Sequence, residues 1–133
     1  MNWYKKNNQI LLNKEASSYK VKNDEDRNRI NQNVRSLKEM AKDLSYLRKY
    51  VYQNSPHARD KVRKMLNDKK MSNFPSVSVI LRKADAIARD NYKTFAIFCD
   101  EALQKMYIEI KEMENARKTY VNSLGKKKGR SNG

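Results

Sequence analysis

Residues 23–44, NDEDRNRINQNVRSLKEMAKDL, decide the fold. Asn23 carries a side chain that caps free helix amides, and Asp24, Glu25 and Asp26 put three acids in the first turn, where they meet the positive end of the helix dipole. Behind that start, Ile30, Val34, Leu37, Ala41 and Leu44, and then Val51, recur at spacings of three, four or seven. Such spacings gather residues on one face of an α-helix and scatter them over both faces of a strand. They predict a helix over about 24–53.

The same pattern continues toward the C-terminus. Ser55-Pro56 is a second start signal, because proline in a first turn loses a donor that has no intrahelical partner there. Ala58, Val62, Met65 and Leu66 form one stripe, and Lys69 and Lys70 suit a negative helix end, so a short helix over about 56–70 is expected. Ser72-Asn73-Phe74-Pro75-Ser76 reads as a turn; Val77, Ile80, Leu81, Ala84 and Ala88 restart the period over about 76–90. A last stripe runs through Phe95, Cys99, Ala102, Met106, Ile110, Met113, Tyr120 and Leu124. It predicts a helix over about 92–124, with Gly125 as a left-handed stop. Only Asp90-Asn91 argues for a break before this helix; without it the two would merge into one of almost fifty residues.

The body has little of the punctuation that an all-β chain needs, since the three glycines all fall in the last nine residues and only two prolines occur. The expected architecture is all-α: a small bundle of about four helices over 24–124. An extended basic N-terminal arm, 1–23, precedes it, and a basic tail, 125–133, follows. The arm shows no sustained period, and the tail has no apolar residue beyond Gly125, so it is expected to be disordered unless bound.

Charge supplies the functional clue. The chain carries a formal +15 over 133 residues, and segments 1–23, 55–74 and 126–133 each hold a surplus of +4. Like charges crowded this way weaken a folded state, so the excess points to a polyanionic partner. The candidate contacts are Lys5, Lys6, Lys14, Lys20 and Lys22 in the arm. Arg35, Lys38, Lys42 and Lys49 follow on the first helix, then Arg59, Arg63, Lys64, Lys69 and Lys70 on the second, and Lys126, Lys127, Lys128 and Arg130 in the tail. A solvated helix surface is the plain alternative for the first helix, which also carries Glu39 and Asp43; on the second, six cations counting Lys61 face only Asp60 and Asp68. Trp3, Tyr4 and Tyr19 have no array around them like an RNA-recognition sheet, so packing under a neighbouring subunit is their expected role rather than base stacking.

Chemistry of other kinds finds no support. His57 is the single histidine and has no second ligand at metal spacing; Cys99 falls on an apolar stripe and reads as a small core residue. Asp100-Glu101, Glu109, Glu112 and Glu114 read as exposed ion-pair residues, and no glycine-rich phosphate loop occurs. The sequence therefore predicts no catalytic or metal site, no cofactor and no small-molecule substrate. The eight tyrosines are expected to line core edges, the alternative being that they and six methionines mark a contact surface. One cysteine makes no internal disulfide, no charged-then-apolar leader opens the chain, and no stretch approaches the roughly 20 apolar residues of a membrane span. An intracellular protein without a transmembrane segment is expected.

An arm of about twenty residues, about four helices, strong basicity and no active site resemble the major coat proteins of filamentous archaeal viruses, the rudivirus and lipothrixvirus group. The stretch Ser72-Asn73-Phe74-Pro75-Ser76-Val77-Ser78-Val79-Ile80-Leu81, a proline-containing helix start feeding an apolar stripe, is similar to the same device in those coats. The lysine-rich tail departs from the family pattern. The resemblance implies double-stranded DNA, held in A-form, clamped inside a helical filament of paired subunits, these being copies of the chain or a paralogous coat protein. It also implies a place in the virion, after a period in the host cytoplasm. Two other readings stand beside it: a small helical subunit lining the nucleic acid of a CRISPR effector complex, and a helical protein-interaction adaptor. A helix-turn-helix regulator fits less well, because the turn from Lys70 to Pro75 is long and lacks glycine.

Overall fold

A computed structural model of the chain describes residues 19–47 and 56–132, with side chains as far as Gly125. Among the described residues there are four α-helices and one 3₁₀ turn, and no strand. Helix α1 spans Asp24–Tyr46 and α2 Pro56–Asn67. The 3₁₀ turn is Lys69–Asn73, followed by α3, Pro75–Ile87, and α4, Tyr92–Asn132. The protein is a small all-α helical bundle.

Local side-chain chemistry sets the helix starts. Asn23 Oδ1 accepts the Asp26 N–H at 2.8 Å, while Asp26 Oδ2 accepts the Lys22 N–H at 3.1 Å. This reciprocal pair satisfies donors that the first turn otherwise leaves open. Asn91 Oδ1 does the same for the Thr94 N–H at 3.1 Å, so Asp90-Asn91 does separate two helices.

Four boundaries differ from the sequence reading. Helix α2 stops at Asn67 rather than near 70, because Asp68 Oδ1 accepts the Lys70 N–H at 2.9 Å and the Asp68 carbonyl accepts the Met71 N–H at 3.0 Å. A side chain that bonds its own backbone competes with α-helix continuation, and the chain tightens into the 3₁₀ turn. That turn buries Met71 and Phe74, which the sequence reading left out of the core. Helix α3 begins at Pro75 and ends at Ile87. Helix α1 ends at Tyr46 with a turn at Leu47, and the expected continuation to 53 lies outside the described residues. Finally, α4 runs through Gly125 to Asn132, where a stop and a disordered tail were expected. A glycine inside a helix costs only about 1 kcal/mol relative to alanine, and the cations that follow suit the negative helix end.

The chain divides into two compact units. In the unit 36–107, Leu37, Met40, Ala41, Leu44 and Leu47 from α1 and its end form one wall of buried side chains. Ala58, Val62 and Met65 of α2, Val77, Leu81, Ala84 and Ala88 of α3 and the following turn, and Phe95, Cys99, Ala102 and Met106 of α4 complete that core, with Phe74 wholly buried. Burying a Leu, Val or Phe side chain stabilises by about 1.5–3 kcal/mol each. The unit 1–35 with 108–133 has a smaller described core of Ile30, Val34, Ile110 and Met113. Three hydrogen bonds support it: Tyr19 Oη to Glu109 Oε1 at 3.0 Å, Tyr120 Oη to Asp24 Oδ1 at 2.9 Å, and Arg117 Nη1 to Asn31 Oδ1 at 2.8 Å.

Candidate nucleic-acid interface

In the unit 36–107 the basic block of α2 is a surface feature. Arg63, Lys64, Lys69 and Lys70 are exposed, and Arg59 and Lys61 are half-buried. The Asp68 carboxylate is engaged by the backbone of the 3₁₀ turn, which leaves the lysines of that turn at its surface. Arg63 Nη2 lies 3.5 Å from Asp85 Oδ1 on α3, a largely exposed pair of the kind that stabilises by less than about 1 kcal/mol and yields easily to another anion. Arg59, Arg63 and Arg89 line a groove between α2 and α3 together with Asp60, Asp85 and Asp90. Three cations against three acids leave the groove balanced, so the uncompensated positive charge of this block lies on the outer side of α2 and the turn, not in this groove.

On α1, Arg35, Lys38 and Lys42 are exposed and fall at i, i+3 and i+7 of the same helix. Lys49 lies outside the described residues, as do Lys5, Lys6 and Lys14 of the arm. Lys126, Lys127, Lys128 and Arg130 occupy helical positions at the end of α4, with their side chains outside the description.

In the other unit, residues 19–22 alternate: Tyr19 and Val21 are half-buried while Lys20 and Lys22 are exposed. This is a strap held against α4 with its lysines outward. Tyr19 therefore packs within its own unit, where packing under a neighbouring subunit was expected, and its hydroxyl donates to a carboxylate. The hydrogen bond that Tyr120 donates to Asp24 pushes its phenol pKa up, helped by desolvation.

Two residues depart from the sequence reading. Glu109 was expected on an exposed face but is 3 % exposed, and Lys105 is 4 % exposed. The signal was present in the register. Lys105 and Glu109 stand one turn apart and each directly precedes a stripe position, Met106 and Ile110, so a wide apolar stripe takes them in. The other acids behave more as expected: Asp100, Glu101, Glu112 and Glu114 are half-buried, and Glu114 lies 3.8 Å from Arg117. The five described methionines, Met40, Met65, Met71, Met106 and Met113, are buried and make core, not contact surface. Among exposed large apolar side chains are Tyr46, Ile97, Tyr107 and Val79, three of them tyrosine or valine at helix faces the stripes did not claim.

His57 is exposed. Burial, aided by the Asp100 charge, pushes the Cys99 thiol up to about 12, so the group stays protonated at neutral pH. Among the described residues no three His, Cys, Asp or Glu side chains are placed to hold a metal ion, and no helix is long and apolar enough to cross a membrane. The chain matches no protein-family model, no curated protein and no solved structure.

Proposed function

We propose that the chain is a non-enzymatic protein that binds nucleic acid through its phosphates, without regard to sequence, and coats duplex DNA as a repeating subunit. One observation carries this reading. Of the candidate cations with described side chains, Lys20, Lys22, Arg35, Lys38, Lys42, Arg63, Lys64, Lys69 and Lys70 are exposed and Arg59 is half-buried. None of these side chains is buried. Exposed lysines and arginines in this number favour phosphate contacts over base reading, so affinity comes from counterion release and falls steeply with salt.

The coat role rests on the resemblance in arm, helix number and charge, and it fits a chain that also leaves Tyr46, Ile97 and Tyr107 exposed for contacts with further subunits. The same apolar side chains favour the adaptor reading as the second choice. Titrating two unrelated duplexes and one single-stranded RNA across a salt series, with electron microscopy of the duplex mixtures, separates the possibilities. Equal, salt-steep duplex binding with regular filaments is the expected result. A strong preference for one duplex sequence, or a flat salt response, refutes phosphate-driven binding; a preference for the RNA moves the reading to the CRISPR-type subunit.

A further inference from the structure

The last eight residues of α4, Gly125 to Asn132, carry the sharpest charge concentration in the chain: Lys126, Lys127, Lys128 and Arg130, with no acid and no apolar side chain among them. The last described side-chain hydrogen bond from α4 to the rest of its unit is made by Tyr120. A Cβ placed on Gly125 would meet nothing within 4 Å, and the backbone there is helical. From this point the helix runs on for about 12 Å at 1.5 Å per residue, as a projection of the α4 axis.

We infer that this projection engages nucleic-acid phosphates as a helix, continuous with α4, rather than as a flexible basic tail. The inference rests on the phosphate-binding reading above and specifies the form in which one of its segments binds. Helix and binding support each other here. Closely spaced cations, including Lys126 and Arg130 one turn apart, repel and oppose the helix, while their position at its C-terminal end favours it through the dipole. Gly125 and Gly129 weaken it further. A polyanion removes the repulsion and leaves the dipole effect, so phosphates shift the balance toward helix. In return the helix fixes four cations on a short rigid rod and spares the ordering entropy that a disordered tail loses on binding. An anionic membrane is the less fitting partner, because a surface-seeking helix needs an apolar face and residues 126–132 have none.

The test uses the full chain in three forms: wild type, Gly125→Ala and Gly125→Pro. All three carry the same net charge. The probe is a short mixed-sequence duplex at fixed salt, with backbone chemical shifts of residues 125–132 read before and after its addition, and thermal unfolding confirming that the body stays folded. Gly125→Ala is expected to tighten binding by up to about fivefold, the ~1 kcal/mol between Gly and Ala in a helix. Gly125→Pro is expected to weaken it by up to about thirtyfold, the ~2 kcal/mol between Gly and Pro. Helical shifts at 125–132 should strengthen when duplex is added. If all three forms bind duplex equally well, the helical mode is wrong while phosphate binding stands. If none binds duplex, the underlying reading has failed. Anionic vesicles that strengthen the helix where duplex does not would also overturn the inference.

Discussion

Replacing Lys64, Lys69 and Lys70 with glutamine tests whether the outer side of α2 and its turn meets phosphates. All three side chains are exposed. The local bonds of the turn use backbone groups, the Lys70 N–H donating to Asp68 Oδ1 and the Lys69 carbonyl accepting from the Ser72 hydroxyl at 2.8 Å, and glutamine keeps both. Glutamine also has nearly the helix propensity of lysine, so stability should change by less than about 0.5 kcal/mol. If each lysine neutralises one phosphate of a B-form duplex, the slope of log affinity against log salt should fall by about 0.9 per contact, about 2.7 in all. Raising salt from about 50 to about 200 mM then costs the variant roughly 40-fold less affinity than it costs the wild type. The control triple is Lys93, Lys111 and Lys118 to glutamine, all exposed on α4; Lys105 is unsuitable because it is buried. Fluorescence titration at four or more salt concentrations reads both slopes. Equal losses from the two triples would mean that net charge alone matters, and the assignment of a binding face would be wrong.

Deleting residues 1–18 spares the Tyr19 bond to Glu109, so circular dichroism and melting temperature should stay close to wild type while duplex affinity and filament formation fall; normal filaments would remove the arm from the binding surface. Tyr19→Phe takes one donor from the buried Glu109 carboxylate and should destabilise by about 1–3 kcal/mol in urea unfolding, whereas an unchanged midpoint would show the strap to be held by other contacts. Cys99 should resist a thiol reagent at pH 8 in the native protein and react only as fast as the chain unfolds. Because its folded pKa is raised from 9.0 to about 12, its contribution to stability is complete below pH 9 and is lost between pH 9 and 12; a stability profile flat across that window in wild type but falling in Cys99→Ala would contradict this.

The helices were legible because their signals are local. Ile30, Val34, Leu37, Ala41 and Leu44 are all buried on α1, and Asn23 and Asn91 both cap as their positions suggested. What escaped depends on competition or on distance. Asp68 ends α2 by bonding the backbone two residues on, an outcome that the basic Lys69-Lys70 end signal masked. Met71 and Phe74 are core residues within a stretch whose polar neighbours Ser72 and Asn73 read as a turn. Glu109 needed knowledge of Tyr19, ninety positions away, before its burial made physical sense. At Gly125 the residue type suggested a left-handed stop, but open space around the backbone and the dipole preference of the following cations let the helix pass. For the interface the sequence supplied the charges. The structure separated exposed cations such as Lys64 and Lys70 from Lys105, which is buried.

The hydrogen bonds of the two units close over very different stretches of chain, and this bears on the order in which the protein can be built. Arg63 and Asp85 are 22 positions apart, within the run of α2, turn and α3. Tyr19 to Glu109, Asn31 to Arg117 and Asp24 to Tyr120 span 90, 86 and 96 positions. Distant closures are slow and cost more chain entropy, and a ribosome releases the N-terminal residues first. The middle of the chain can therefore fold during synthesis, while Tyr19, Asp24 and Asn31 wait for partners that have yet to be translated. Throughout that interval Lys20 and Lys22 ride on a segment that has nothing yet to dock against, so their charges are open to polyanions before the unit closes.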